Sequence, residues 1–116
     1  MKKTMVRSTA MAAMGLLVLI GALLPSGSAS ALGYGTVASN SGMAYVRGAP
    51  FPDAAFLGKA WNGYRLTMYC WVDGGWAYGN HWTNRWFQVA VPDWRYGGVG
   101  YIHASLVANQ PSLPHC

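Results

Sequence analysis

Between two glycine-bearing turn signals, Asn62-Gly63 and Asp73-Gly74-Gly75, the chain alternates without a break. Leu66, Met68, Cys70 and Val72 fall on one face, and Arg65, Thr67, Tyr69 and Trp71 on the other. A period of two predicts one long strand with a buried face, and it aims Cys70 into that face. Similar reading gives a strand over Tyr34–Val37 and another from Met43, with Ala44 and Val46 inward and Tyr45 and Arg47 outward. A third spans Phe56 to Trp61 and ends at Asn62-Gly63, a dipeptide that signals a hairpin when strands flank it. Trp86–Val91 forms a further strand, with Phe87, Val89 and Val91 on its apolar face. Val99–Val107 closes the fold as a strand, a short turn and a last strand residue or two. Gly74–Arg85 has three glycines and no clean period, which predicts a long, partly extended loop carrying Trp76, Tyr78 and Trp82. Pro92–Gly98 is a turn that carries Trp94 and Tyr96. Helical periodicity nowhere exceeds a turn. The pattern predicts an all-β barrel or roll of five or six short strands, closed to hide its edges.

The first 31 residues read differently. Lys2, Lys3 and Arg7 precede the apolar run Ala10–Leu24, and Ala29-Ser30-Ala31 supplies a small-residue cleavage site. This is the plan of a secretory signal peptide, cut between Ala31 and Leu32. A membrane anchor is the other reading, but the run is short for a bilayer span and small rather than basic residues follow it. The expected product is a secreted, extracellular domain over residues 32–116, free of the membrane after cleavage.

Removing that segment changes the charge picture. The precursor carries +5, whereas the mature part has Arg47, Lys59, Arg65, Arg85 and Arg95 against Asp53, Asp73 and Asp93, a net of +2. Most of the basicity leaves with the signal, so the charge does not point to nucleic acid. Every aromatic residue lies in the remaining 85 residues, which suffice for one small domain. Two cysteines, Cys70 and Cys116, are expected to pair in an exported chain of this size. The alternative is a buried free Cys70 with Cys116 available for dimers; a monomer is the expectation.

Four segments carry a family likeness. TVASNSGMAYVRGAP resembles the opening of bacterial SH3-like (SH3b) domains, with Val46, Arg47 and Pro50 in their V-R-x-x-P positions. FLGKAWNGYRL resembles the segment that follows, with Gly58 and Gly63 as its glycines. RWFQV is similar to the W-x-x-V strand through Trp86 and Val89, and GGVGYIHASLV to the terminal strand through Gly100, Tyr101, Ile102 and Val107. The likeness runs from about Thr36 to Val107 and is strongest to secreted SH3-like proteins of actinobacteria, which also carry a cysteine in the central strand and one at the C-terminus. It implies an SH3-like barrel and a role in binding peptidoglycan or other wall components. Tyr45 departs from the pattern, standing where asparagine is common.

The chemistry of the side chains points away from catalysis. Covalent catalysis needs a nucleophile with a base beside it, and glycosidase chemistry needs two converging carboxylates. The cysteines are taken by pairing, no glutamate is present, and Asp53, Asp73 and Asp93 sit beside Pro or Gly in turn contexts. His81, His103 and His115 lack zinc-site spacing, and His103 reads as a surface residue of the last strand. No enzyme activity, cofactor or metal is expected. The aromatics exceed what one face of a small barrel can hide. They either fill a second small core under the Gly74–Arg85 segment or form a platform for sugar rings or peptide side chains. The platform reading names Tyr45, Trp76, Tyr78, Trp82, Trp94 and Tyr96, with a cell-wall polymer or peptide as partner. The competing reading is an extracellular effector, an inhibitor or antimicrobial protein, that acts on another protein or cell.

Overall fold

The computed structural model describes residues 33–92 and 97–116. Residues 1–32, which hold the segment read as a signal peptide, and residues 93–96, with Trp94 and Tyr96, lie outside the described residues. The described residues form seven strands and one 3-10 turn: β1 (Gly33–Val37), β2 (Met43–Arg47), β3 (Phe56–Trp61), β4 (Arg65–Tyr78), β5 (Trp82–Ala90), β6 (Val99–His103), the 3-10 turn Ala104–Leu106, and β7 (Val107–Ala108). They form one antiparallel sheet in the order β3-β2-β6-β5-β4-β1-β7, coiled into a half-barrel. The expectation of five or six short strands is corrected to seven. The last strand residues, Val107–Ala108, form a strand of their own, which raises the count, and β4 at 14 residues is not short.

The half-barrel stays open at β3, and the reason is the Asn62-Gly63 turn. It does not close a hairpin. The Tyr64 N–H donates to the Trp61 carbonyl at 3.0 Å, and φ is +92° at Gly63 while Asn62 keeps a negative φ. That is the signature of a type II turn, whose twist splays flanking strands. The chain therefore leaves β3 and crosses to lie between β1 and β5. Asn62 holds the corner by accepting from the Ser39 N–H at 2.8 Å and donating to the Ser39 carbonyl at 2.9 Å.

The core follows the alternation where the strands are regular. Ala44 and Val46 of β2, Ala60 of β3, Leu66 and Met68 of β4, Phe87 and Val89 of β5 and Ile102 of β6 are all buried together, with Val91 beside them. The alternation of β4 then breaks. Met68 pairs with Val89 but Cys70 pairs with Gln88, so Tyr69 is an extra residue in a bulge. A single inserted residue reverses the parity of everything after it. Trp71, opposite Phe87, turns toward the core, and Cys70 is moved off the buried face to a half-buried position.

There Cys70 is bonded to Cys116. The tail arrives by pairing with the uncovered side of β4 beyond β1. The Trp71 N–H donates to the Pro114 carbonyl at 3.0 Å, and the Cys116 N–H to the Trp71 carbonyl at 2.8 Å. His115 meets the Trp71 ring edge-on at 4.4 Å between centroids, and the Arg85 guanidinium lies 3.8 Å from the same ring centre. Arg85 also pairs with Asp73 at 3.1 Å, so Asp73 is a strand residue rather than a turn residue.

The Gly74-Gly75 pair is not a turn either, since β4 passes straight through it. The Gly75 N–H donates to the Pro50 carbonyl at 2.9 Å. A β-carbon on Gly74 would collide with that same carbonyl oxygen, and one on Gly75 would lie 2.8 Å from Phe51 Cδ1. The glycines sit in a second irregularity of the ladder, between Asp73 and Ala77, and let the Pro50–Phe51 loop approach at backbone distance.

Two outcomes are expected. Cys70→Ala should lower unfolding free energy by about 2–5 kcal/mol, the usual cost of losing a native bond in a small domain, in denaturant melts. Gly74→Ala should destabilise by about 1–3 kcal/mol by forcing the Pro50 loop off β4, whereas Gly42→Asn, at a turn with open space around it, should cost far less.

Candidate functional site

Because β4 continues past the glycines, the segment expected to be a long loop is a tight hairpin. Only Gly79, Asn80 and His81 connect β4 to β5, and Tyr78 pairs directly with Trp82. Trp76 stacks on Trp82 with centroids 5.7 Å apart and planes 19° from parallel. These aromatics do not fill a second core: Trp76 is 55% exposed, Trp82 59% and Tyr78 74%. The aromatic that is buried in this region is Trp86, whose Nε1–H donates to the Gly75 carbonyl at 2.9 Å.

The hairpin tip is tied to the loop after β1 by one side chain. Asn80 Oδ1 accepts from the Asn40 N–H at 2.7 Å, and its Nδ2 donates to the Ala38 carbonyl at 2.7 Å. From below, the Asn80 N–H donates to Ser105 Oγ at 3.0 Å, and Ser105 Oγ is 2.7 Å from His103 Nδ1. His103 Nε2 lies 2.9 Å from the Thr83 carbonyl, which can only accept. This places the hydrogen of a neutral ring on Nε2 and leaves Nδ1 to accept from the serine hydroxyl. The relay therefore runs from Asn80 N–H to Ser105 to His103 to Thr83. His103 is 4% exposed, which corrects its reading as a surface residue. A strand position usually alternates outward here, but the 3-10 turn folds Ser105 back over the ring. Gly79 completes the packing, since a β-carbon there would collide with Ser105 Oγ and come within 2.9 Å of His103 Nδ1.

Between the tied hairpin and the loop lies a groove of about 420 Å³. Ser39, Asn40 and Ser41 form one bank, and Ala77 to Asn80 form the other. Tyr45, Arg47 and Pro52 also line it, together with the buried Trp86 and His103 and the apolar Met43, Ala44 and Leu106. Of the six aromatics assigned to a platform, Tyr45 and Tyr78 line this groove. Trp76 and Trp82 stand beside it on the hairpin as a stacked pair, and Trp94 and Tyr96 lie outside the described residues.

Several groups at the site escape a reading by pattern. Asn80 and Gly79 sit in a stretch without periodicity, where the Gly-Asn pair marks a tight tip. Arg47 reads as an outward strand residue, and that is its position, on the rim. A second exposed aromatic ribbon also emerges on β2 and β3. Tyr45 packs edge-on against Phe56 at 5.1 Å, and Lys59 lies 5.2 Å from the Trp61 ring centre. Among the described residues, no group of three His, Cys, Asp or Glu side chains is placed to hold a metal ion.

The clasp makes a direct prediction. Asn80→Ala removes two side-chain bonds and should cost about 1–3 kcal/mol in denaturant melts, with faster amide exchange at Asn40. Asn80→Asp keeps the acceptor for Asn40 but loses the donor to Ala38, so its loss should be of similar sign.

No protein-family model matches the chain, nor does any curated protein or solved structure.

Proposed function

We propose that the protein is a secreted, non-catalytic binding module of the bacterial SH3-like type, and that the groove between the Ser39–Ser41 loop and the hairpin tip holds cell-wall material or a peptide. The observation that carries this reading is the composition of the groove. Two exposed tyrosines, Tyr45 and Tyr78, face a channel whose bank is built of hydroxyl and amide groups. Rings with a polar tip suit half-wet surfaces where sugar rings or peptide side chains stack. Neutral Ser and Asn groups add directional hydrogen bonds without the desolvation cost of a charge.

Support for the SH3-like assignment comes from the all-β half-barrel and from the four sequence segments that resemble that family. Support for export comes from the disulfide, which suits an oxidising compartment, together with the signal-like first 31 residues. The Ser105–His103 pair does not argue for hydrolysis. Ser105 is buried, and its hydroxyl already serves the relay to Asn80. The stacked Trp76–Trp82 pair continues the binding surface beyond the groove, where a polymer longer than the groove would rest.

The test is sedimentation of the pure protein with purified peptidoglycan, beside pull-downs on a panel of secreted proteases. Wall binding is expected, and protease capture without wall binding would favour an extracellular effector instead. Tyr78→Ala and Trp82→Ala should each weaken wall binding by about tenfold or more, as truncated aromatic anchors do. Because both side chains are largely exposed, the melting temperature should barely change. Unchanged binding in both variants would contradict the proposal.

A further inference from the structure

We infer that the groove selects ligands bearing a carboxylate, and that Arg47 is the residue that takes it; this rests on the groove being the binding site. Of the side chains lining the groove, Arg47 alone carries a full charge, and no Asp or Glu lines it. Among the described residues no carboxylate lies within ion-pair distance of Arg47, since Arg85 with Asp73 is the one pair formed there.

The guanidinium is braced rather than loose. Arg47 ends β2, where its backbone pairs with both Phe56 and Tyr101. Its Nη1 donates to the Ala54 carbonyl at 3.1 Å, and its guanidinium carbon lies 5.4 Å from the Tyr45 ring centre. A guanidinium has five N–H donors in a planar fork, and this is the only side-chain hydrogen bond it donates among the described residues. The remaining donors are committed to no protein acceptor among the described residues, and the bond to Ala54 restrains the group that carries them. A planar fork matches the two oxygens of a carboxylate.

The charge count favours a carboxylate over a phosphate. One cation in an otherwise neutral groove balances one negative charge. A phosphate monoester carries about −1.5 to −2 at neutral pH and would leave part of its charge uncompensated in the groove. His103 offers no free ring nitrogen to a ligand, because both are engaged by Ser105 and Thr83. The carboxylate could end a peptide or hang from a sugar ring; the chemistry at Arg47 is the same. Tyr45 would then stack on whatever carries the acid, beside the guanidinium.

The experiment compares purified peptidoglycan, untreated and with its carboxylates amidated by carbodiimide and ammonia, for binding to wild type, Arg47→Lys and Arg47→Met. Wild type should bind the amidated wall about tenfold more weakly or worse, the loss expected for a charge-assisted pair. Arg47→Met should bind both forms equally and weakly, and Arg47→Lys should keep part of the preference. Competition by an N-acetylated tetrapeptide acid or by N-acetylmuramic acid, each beside its amide, identifies the source of the carboxylate. Equal binding of wild type to both walls, or a preference that survives in Arg47→Met, would overturn the inference. If equal binding is still lost in Tyr78→Ala, the groove reading stands and only the carboxylate fails. No binding to either wall overturns both. Should Arg47→Met fail to fold because the Ala54 carbonyl loses its donor, the wild-type comparison and Arg47→Lys decide the question.

Discussion

The backbone approach at Gly74 and Gly75 is the constraint on which the rest of this structure depends. A β-carbon on either residue would push the Pro50–Phe51 loop away from β4. With no β-carbon, the loop docks through the Gly75 N–H to the Pro50 carbonyl, and the strand is free to continue to Tyr78. A strand that ended at Asp73 would leave no rigid hairpin to reach the loop after β1. The Asn80 clasp, the banks of the groove and the stacked Trp76–Trp82 pair all follow from that continuation. Pro52 of the docked loop in turn lines the groove, so one contact shapes two of its walls.

The same strand shows how a small domain offsets a modest core. Its two irregularities send different side chains to different tasks. The bulge at Tyr69 turns Trp71 inward and frees Cys70 to meet the tail. The tail then covers the part of β4 that β1 does not reach, through the two backbone bonds around Trp71. Closing a 46-residue loop restricts the unfolded chain by about 4 kcal/mol in the chain-entropy model, a sizeable part of the stability of a domain this small. The open edge at β3 is handled by other means: Lys59 on its outer face and a shifted register at its start, both common protections against edge-to-edge pairing.

What was legible in the sequence is the part governed by regular alternation. Ala44 and Val46, Leu66 and Met68, and Phe87, Val89 and Val91 all lie where a period of two puts them. The short turn and last strand residues read from Val99–Val107 also appear, as the 3-10 turn Ala104–Leu106 and the pair Val107–Ala108. What was illegible comes from single residues whose meaning depends on distant partners. Gly74-Gly75 looks like a turn until Pro50 is known to lie against it. Asn62-Gly63 looks like a hairpin until Ser39 is seen to hold it as a corner. Tyr69 gives no local sign of being the extra residue that reverses the strand, and His103 becomes a buried relay only because Ser105 folds back on it. At the candidate site, Tyr45 and Tyr78 are named from the sequence and line the groove, whereas Asn80 and Arg47 are brought to it by the tertiary fold.

The central claim, that ligand enters between the Asn80-clasped hairpin and the Ser39–Ser41 loop, is tested most directly by amide chemical shifts of the isotope-labelled domain during titration with soluble peptidoglycan fragments. The largest shifts are expected at Ser39–Ser41, Tyr45, Arg47 and Ala77–Asn80. Shifts confined to the tail around His115 or to the Phe56–Trp61 ribbon, or no shifts at all, would contradict it.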